Sequence, residues 1–238
     1  MTLVYDSHCH LNSVLYNNED YQRPRLVVAI NHLEWEQLFK IRNYHPEYKI
    51  ALGIHPWEVN NYSEHIIRIL ENNIIKYSPD CIGEIGLDKL KSNFAYQLKI
   101  FELQLQLAKK YNLGVIIHCV KAYNEAISLL KKHNIHKGVF HAYNANQIIA
   151  NNITKLGLYL GIGGLISKPT LINKNILNIN IEHIILESDA PYMPYLGNSV
   201  SVSSDCDKYA TLLATYYNID VVKVVQISNN NFLNLFRK

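Results

Sequence analysis

Short apolar runs alternate with longer amphipathic segments along the whole chain. This alternation is typical of repeated β-strand and α-helix units, in which each buried strand is followed by a helix that packs on the sheet. Eight of the apolar runs have the length and residue types of strands. They begin near Leu3-Val4-Tyr5, Leu26-Val27-Val28-Ala29, Ile50-Ala51-Leu52, Cys81-Ile82, Gly114-Val115-Ile116-Ile117, Gly138-Val139-Phe140, Leu158-Tyr159-Leu160-Gly161 and Ile184-Ile185-Leu186. Eight such units predict an α/β fold, a TIM-like (β/α) barrel.

The segments between these runs predict helices. In the segment from Phe94 to Tyr111, Leu98, Phe101, Leu105 and Ala108 recur at three- and four-residue steps. This spacing gives one apolar stripe that can pack on a barrel wall. The other helical segments are Glu64 to Lys76, Tyr123 to His133, Asp205 to Tyr217 and Val221 to Phe236. We expect Ser228-Asn229-Asn230-Asn231 to interrupt the last of them.

Composition favours one globular domain over residues 1–238. The chain of 238 residues is 48% hydrophobic and 18% charged, and no segment offers the roughly 18 uninterrupted apolar residues of a membrane span. The N-terminus lacks a basic region followed by an apolar run, so we expect no signal peptide and a cytoplasmic location. The four cysteines are scattered without a CxxC pair, which favours free thiols.

The formal charge of +3 is only mildly basic. Proteins that grip long duplexes usually concentrate basic residues in a patch, and the charge by itself neither requires nor excludes a nucleic-acid substrate. The choice of function therefore depends on the chemistry-bearing residues.

The first candidate ligands stand in the segment Asp6-Ser7-His8-Cys9-His10, which continues the first predicted strand. The two-residue period of a strand places His8 and His10 on one face and turns Cys9 away. Two imidazoles can then converge on one ion. A histidine at a strand end can also simply satisfy a local hydrogen bond, so this pair needs support from the rest of the chain.

Further ligand types follow the later predicted strands. Glu84 lies between Gly83 and Ile85-Gly86, His118 and His141 each follow an apolar run, and Glu187 and Asp189 share one face after the eighth strand. In a TIM barrel the C-terminal strand ends build the active site. Imidazoles with carboxylates suit zinc, manganese or iron, and carboxylates alone also suit magnesium. Two such ions about 3.5–4 Å apart activate water for hydrolysis.

With these motifs the chain resembles the TatD-related deoxyribonuclease family of amidohydrolase-like metal hydrolases, over almost its whole length. The motifs that carry the resemblance are Asp6-Ser7-His8-Cys9-His10-Leu11, Leu52-Gly53-Ile54-His55-Pro56, Gly83-Glu84-Ile85-Gly86-Leu87-Asp88, Val115-Ile116-Ile117-His118, Val139-Phe140-His141 and Leu186-Glu187-Ser188-Asp189-Ala190-Pro191. The resemblance implies two divalent ions (Mg, Mn or Zn). It also implies a TIM-like barrel with the active site at the strand ends.

The resemblance also assigns roles to single residues. One ion is held by His8, His10, Glu84 and Asp189, and the other by Glu84, His118 and His141, with Glu84 as the bridge. The catalytic residues implied are Asp189, which orients or deprotonates the attacking water, Glu84, and His55, which lies near the scissile phosphate.

Departures from the family pattern bear on substrate contacts. Val120 stands where an arginine is frequent, and Lys121 is a candidate replacement for that charge. Tyr143 and Val200 also lie where the family has other residues. We interpret Trp57, Tyr143 and Tyr192 as candidate surfaces for base stacking, with loop packing as the alternative for each.

The leading hypothesis is a monomeric 3′ exonuclease that admits DNA ends or single-stranded DNA into a cleft beside the metals. A modest net charge fits an enzyme that binds an end, because few phosphates need neutralising. One alternative is an amide or ester hydrolase of the same fold, acting on a cyclic amide or a D-aminoacyl-tRNA. The other is a catalytically silent metal-binding barrel.

Overall fold

The architecture is a single eight-stranded parallel sheet. The computed structural model describes residues 3–10, 22–168 and 178–237. The strands are β1 (Asp6–His10), β2 (Arg25–Val28), β3 (Lys49–Leu52), β4 (Cys81–Asp88), β5 (Gly114–Val120), β6 (Gly138–Phe140), β7 (Tyr159–Ile162) and β8 (Ile184–Leu186). Each strand pairs in parallel with the next one along the chain. The predicted TIM-like barrel is confirmed.

The sheet curves round until its first and last strands meet. Cys9 and Ala190 form a parallel bridge just beyond the end of β8. Two backbone hydrogen bonds fix this junction, from the His10 amide to the Ala190 carbonyl at 2.8 Å and from the Asp189 amide to the His8 carbonyl at 2.9 Å. The closure therefore holds two predicted ligand segments side by side.

Seven α-helices surround the sheet in the described part of the chain. They are α1 (Trp35–Tyr44), α2 (His65–Tyr77), α3 (Phe94–Tyr111), α4 (Tyr123–Lys132), α5 (Gln147–Thr154), α6 (Asp205–Tyr217) and α7 (Val221–Asn234). The predicted bounds of α3 and α6 are confirmed. None of the described helices combines the length and apolar composition that crossing a bilayer requires.

The expected break in α7 and the bounds of two strands need correction. The expected interruption at Ser228-Asn229-Asn230-Asn231 is wrong, because α7 runs through these residues without a break. Their polar side chains are accommodated because Ser228, Asn229 and Asn231 are buried against neighbouring backbone groups. In addition, β1 begins at Asp6 and not at Leu3, and β4 continues to Asp88, so Glu84 lies within the strand.

The barrel interior is closed at the end opposite the candidate ligands. A small apolar cluster takes side chains from strands all round the sheet, together with one from α7 and one from the residue that follows it: Leu26, Val28, Ala51, Cys81, Ile116, Val139, Ile185, Phe232 and Leu235. Side chains from six strands can meet only inside the barrel. Tyr5, which precedes β1, packs edge-on against Phe232 at 5.4 Å between ring centroids. The α7 helix therefore covers the N-terminal end of the barrel. The candidate ligands lie at the other, C-terminal end.

Candidate metal centre

The six predicted ligand residues converge at the C-terminal end of the barrel. His8 and His10 lie in β1, Glu84 in β4 and His118 in β5. His141 follows β6 directly, and Asp189 lies in the segment after β8. All but His118 are buried, and His118 is almost so. Three overlapping groups of these residues and His55 place their candidate ligand atoms within 4.8 Å of one another.

Glu84 lies at the middle of the cluster, and its two carboxylate oxygens face different partners. We call the first set of partners the Oε2 group: His8, His10 and Asp189. His8 Nε2 and His10 Nε2 lie 3.4 and 3.8 Å from Glu84 Oε2. Asp189 Oδ1 lies 3.1 Å from His10 Nε2 and 3.5 Å from His8 Nε2. These four side chains could hold one cation between them.

The other oxygen of Glu84 faces a second set of partners, which we call the Oε1 group: His55, His118 and His141. Glu84 Oε1 lies 3.3 Å from His55 Nε2, 3.2 Å from His118 Nδ1 and 3.1 Å from His141 Nε2. The rings of His8 and His141 stack between the two groups, with centroids 4.2 Å apart. One carboxylate thus lies between two sets of imidazoles.

Charges within the cluster stabilise one another. Burial opposes a charged Glu84, but the neighbouring imidazoles, His141 foremost, hold the pKa of this carboxyl well below its usual range. Burial also opposes a charged His141, yet the charge of Glu84 raises the pKa of His141 well above its usual value. The pKa of Asp189 is lowered in spite of burial by the hydrogen bond with His10. Positive charge is therefore favoured among these carboxylates.

The residues fit divalent metal ions by geometry and by donor chemistry. His8 Nε2 and His10 Nε2 are 3.4 Å apart, as are His118 Nδ1 and His141 Nε2. Ring nitrogens this close to each other and to carboxylate oxygens can act as neighbouring ligands of one cation. Neutral imidazole and carboxylate together are ligands for zinc, manganese and iron. The cluster therefore has the donor chemistry and the spacing to hold a metal ion.

His55 differs from the other imidazoles because its second nitrogen is already engaged. The Trp57 amide donates to His55 Nδ1 at 3.1 Å, so in the neutral ring the proton is on Nε2. Burial lowers the pKa of His55, which keeps the ring neutral. His55 therefore presents an N–H donor to the cluster, a property suited to contact with a substrate oxygen.

The aromatic candidates for substrate contact differ in how far their side chains are exposed. Trp57 is 53% exposed and Tyr192 is 46% exposed, and their rings meet the edges of His55 and His10 respectively. Tyr143 is only 1% exposed, and its hydroxyl donates to the Asn146 carbonyl. Its ring has no exposed face on which a base could stack, so Tyr143 packs within the fold, as the loop-packing alternative expects.

Lys121, the candidate replacement for the missing arginine, is exposed just after β5. Among the described residues, no ion pair or hydrogen bond joins it to the candidate ligands. A different cation contacts the exposed aromatic surface, since Lys91 Nζ is 4.4 Å from the centre of the Trp57 ring.

Three buried carboxylates around the cluster have roles that sequence reasoning did not assign. Glu187 Oε1 accepts from the Ala142 amide and lies 3.5 Å from His141 Nδ1. Asp88 Oδ2 lies 3.6 Å from His118 Nε2. Glu84 and Asp88 are four residues apart and so share a strand face by period two, a signal that could have indicated Asp88.

The third carboxylate, Asp6, joins β1 to the segment after β8. It accepts from the Ser188 amide at 2.9 Å, from the Ser188 hydroxyl at 2.6 Å and from the Ser203 hydroxyl at 2.6 Å. These bonds fix the backbone between Glu187 and Asp189. Asp6 thereby positions two carboxylates without facing the cluster itself.

Comparisons with known proteins agree with this geometry. The family model described as TatD related DNase matches residues 5–237. The uncharacterized metal-dependent hydrolase YjjV of Escherichia coli (strain K12) is 30% identical over 212 residues, which cover 81% of each chain. The 3'-5' ssDNA/RNA exonuclease TatD of Edwardsiella piscicida is 26% identical over 226 residues, covering 89% of this chain and 87% of that one.

A solved structure extends the likeness to the fold. The crystal structure of the TatD homologue YjjV from Escherichia coli K12 superposes with a TM-score of 0.90 at 23% sequence identity. The superposition covers 98% of this chain and 97% of that one. The whole barrel, and not a fragment of it, is shared.

Proposed function

Because this chain belongs to the TatD-related DNase family of metal-dependent hydrolases, we propose that it is a 3′ exonuclease for single-stranded or frayed DNA. The observation that supports this most directly is the position of Glu84, whose two oxygens face two separate sets of imidazoles. That arrangement suits a pair of cations held side by side, as in many enzymes that cleave phosphodiesters. The Edwardsiella relative, a 3'-5' ssDNA/RNA exonuclease, supports the substrate class.

The residues that would hold the ions follow from the two groups. His8, His10 and Asp189 with Glu84 Oε2 would hold one, and His118 and His141 with Glu84 Oε1 the other. When bound, divalent ions lower the pKa of water and offset the charge that builds up on a phosphoryl group during displacement.

Asp189 is the residue we propose to orient and deprotonate the attacking water. Its backbone amide donates to the His8 carbonyl, and its φ of 53° places it in the left-handed region. Such a backbone is uncommon outside glycine, although aspartate tolerates it better than most residues, and it fixes where the carboxylate lies. The lowered pKa keeps this carboxylate ionised and able to accept a proton.

We propose that His55 and the exposed aromatic rings contact the substrate. The Nε2–H of neutral His55 can donate to a non-bridging phosphate oxygen next to the cluster. Trp57 and Tyr192 offer exposed rings on which unpaired bases can stack. Lys91, over the Trp57 ring, adds a cation for the adjacent phosphate, and Lys121 is the further candidate.

A panel of substrates tests the proposal. We expect metal-loaded protein to degrade linear single-stranded DNA labelled at the 5′ end, with products shortening from the 3′ end. The circular form of the same sequence should be resistant. Asp189→Asn, which keeps the side-chain shape but removes the proton acceptor, should abolish this degradation.

The same panel distinguishes the alternatives. Cleavage of the circle as fast as the linear strand would contradict the exonuclease proposal. Hydrolysis of an aminoacyl-tRNA or a cyclic amide without any cleavage of DNA would favour the amide or ester hydrolase, and RNA of the same sequence shows whether the sugar matters. No hydrolysis of any substrate by metal-loaded protein would favour a silent barrel.

A further inference from the structure

Asp88 is a buried carboxylate whose two oxygens have separate partners. Oδ1 accepts from the Leu90 amide at 2.8 Å, and Oδ2 accepts from the Trp57 indole Nε1–H at 2.7 Å. The backbone of Asp88 is also held, because the Gln97 side chain accepts from its amide at 2.7 Å and donates to its carbonyl at 3.0 Å. The carboxylate therefore has a fixed position at the end of β4.

Asp88 Oδ2, the oxygen that accepts from Trp57, also faces His118 Nε2. Asp88 Oδ2 lies 3.6 Å from His118 Nε2, an ion-pair distance that a shift of a few tenths of an ångström would turn into a hydrogen bond. The other ring nitrogen, Nδ1, lies 3.2 Å from Glu84 Oε1. Because an ionised carboxylate can only accept, Asp88 favours the tautomer with the proton on Nε2. The lone pair of Nδ1 then points into the metal centre.

Trp57 connects this pair to the surface. Its indole N–H points inward to Asp88, while half of the side chain is exposed beside the mouth of the barrel. Lys91 lies over one part of the ring, and among the described residues no carboxylate forms an ion pair with Lys91. A single side chain thus reaches from a candidate base-stacking surface to the carboxylate behind a metal-ligand histidine.

We propose that Asp88 is a positioning residue of the metal centre, and that Trp57, by holding Asp88 Oδ2, couples the binding of a nucleobase to the His118 side of that centre. The part concerning the nucleobase rests on the proposed function, whereas the part concerning Asp88, Trp57 and His118 requires only that metal binds. Carboxylates behind ligand histidines fix ring orientation and raise ligand basicity.

Asp88→Asn tests the tautomer directly. The amide cannot accept from both the Leu90 amide and the Trp57 indole, and an NH₂ group turned to His118 would favour the proton on Nδ1, on the metal side. We expect metal-free Asp88→Asn protein, titrated with Mn²⁺, to bind one ion about 10–100-fold more weakly than wild type. The matched control is Asp80→Asn at the opposite end of β4, where the carboxylate accepts from the Ile50 amide far from the centre.

Trp57→Phe keeps an aromatic face but removes the indole N–H, and Trp57→Ala removes both. We expect both variants to bind Mn²⁺ several-fold more weakly, whereas only Trp57→Ala should also lose affinity for a single-stranded oligonucleotide in metal-free protein. Wild-type Mn²⁺ affinity in folded Asp88→Asn and Trp57→Phe would overturn the proposal, and if Asp88→Asn does not fold, Trp57→Phe alone decides.

The Mn²⁺ titration and the oligonucleotide-binding measurement test different parts of the proposal. If no oligonucleotide binds to any form of the protein, the proposed DNA substrate and the coupling to a nucleobase are both wrong. Weaker Mn²⁺ binding by Trp57→Phe would still support Asp88 as a positioning residue in that case. An unchanged Trp57→Phe affinity for Mn²⁺ together with normal DNA cleavage would leave the proposed function intact and overturn the inference.

Discussion

Glu84 lies at the middle of the candidate ligand cluster. It is buried, and five imidazoles lie within 3.8 Å of one or other of its oxygens. Two of them come from β1, one from β5, and one each from the segments that follow β3 and β6. A residue that only held the β4 backbone would need a hydrogen-bonding group but not a negative charge. Charge is therefore the property that distinguishes a bridging role from a structural one.

Replacing Glu84 by Gln separates these roles. We expect Glu84→Gln to lower metal occupancy and to reduce turnover by several orders of magnitude, because a neutral amide can no longer bridge two cations. The melting temperature of the metal-free protein should change far less, since the apolar core is built from other residues. Metal content, melting temperature and turnover are measured on one preparation, and near-wild-type turnover would reject the bridging role.

At the scale of elements, α7 acts through a polar face that is buried against the barrel. The Ser228 hydroxyl accepts from the Leu186 amide at 2.9 Å, and Asn231 donates to the carbonyls of Ile184 at 2.7 Å and Glu182 at 2.9 Å. These bonds satisfy backbone groups at both ends of β8, the strand that leads to Asp189. The helix thus stabilises the strand that leads to a candidate ligand carboxylate.

Adjacent asparagines in α7 provide a matched test of this contribution. Asn231→Ala leaves the buried Ile184 carbonyl and the partly buried Glu182 carbonyl without their side-chain donor. We expect this substitution to lower the free energy of unfolding by about 1–3 kcal/mol. Asn230 is exposed on the same helix. Asn230→Ala should therefore change the free energy of unfolding by less than about 0.5 kcal/mol. Urea denaturation of the metal-free proteins measures both, and equal effects would show that helix propensity, not the buried bonds, dominates.

Across the whole molecule, the interior apolar cluster and the candidate ligands lie at opposite ends of the barrel. The interior cluster closed by Phe232 and Leu235 fills the N-terminal end, and the candidate ligands surround Glu84 at the other. Because the ligands come from strands all round the sheet, ions can bind them together only when the barrel is folded. Metal binding must then stabilise the folded state.

Adding and removing metal tests that linkage. At a hundred times the dissociation constant, an ion that binds only the folded state adds about 2.7 kcal/mol to the free energy of unfolding. For a chain of this size that corresponds to a rise in melting temperature of about 5–10 °C, which EDTA should reverse. The rise should be much smaller in Glu84→Gln, and an equal rise in both proteins would mean that the ions bind elsewhere.

The sequence by itself determined the features that depend on local spacing. Alternating apolar runs and amphipathic segments set eight strands and the helices between them, and the two-residue period placed His8 and His10 on one face. Because parallel strands in a barrel end on the same side, ligand types at several strand ends indicated one cluster before any distance was known.

The tertiary structure decided what depends on contacts between residues distant in the chain. Strand order and curvature place Asp88 behind His118 and Glu187 behind His141, and they divide the two oxygens of Glu84 between separate partners. Burial of Tyr143 and the continuity of α7 through Ser228 and Asn231 follow from the same packing. Local propensity cannot predict these outcomes, because a buried polar side chain is stable only where a partner from elsewhere in the fold meets it.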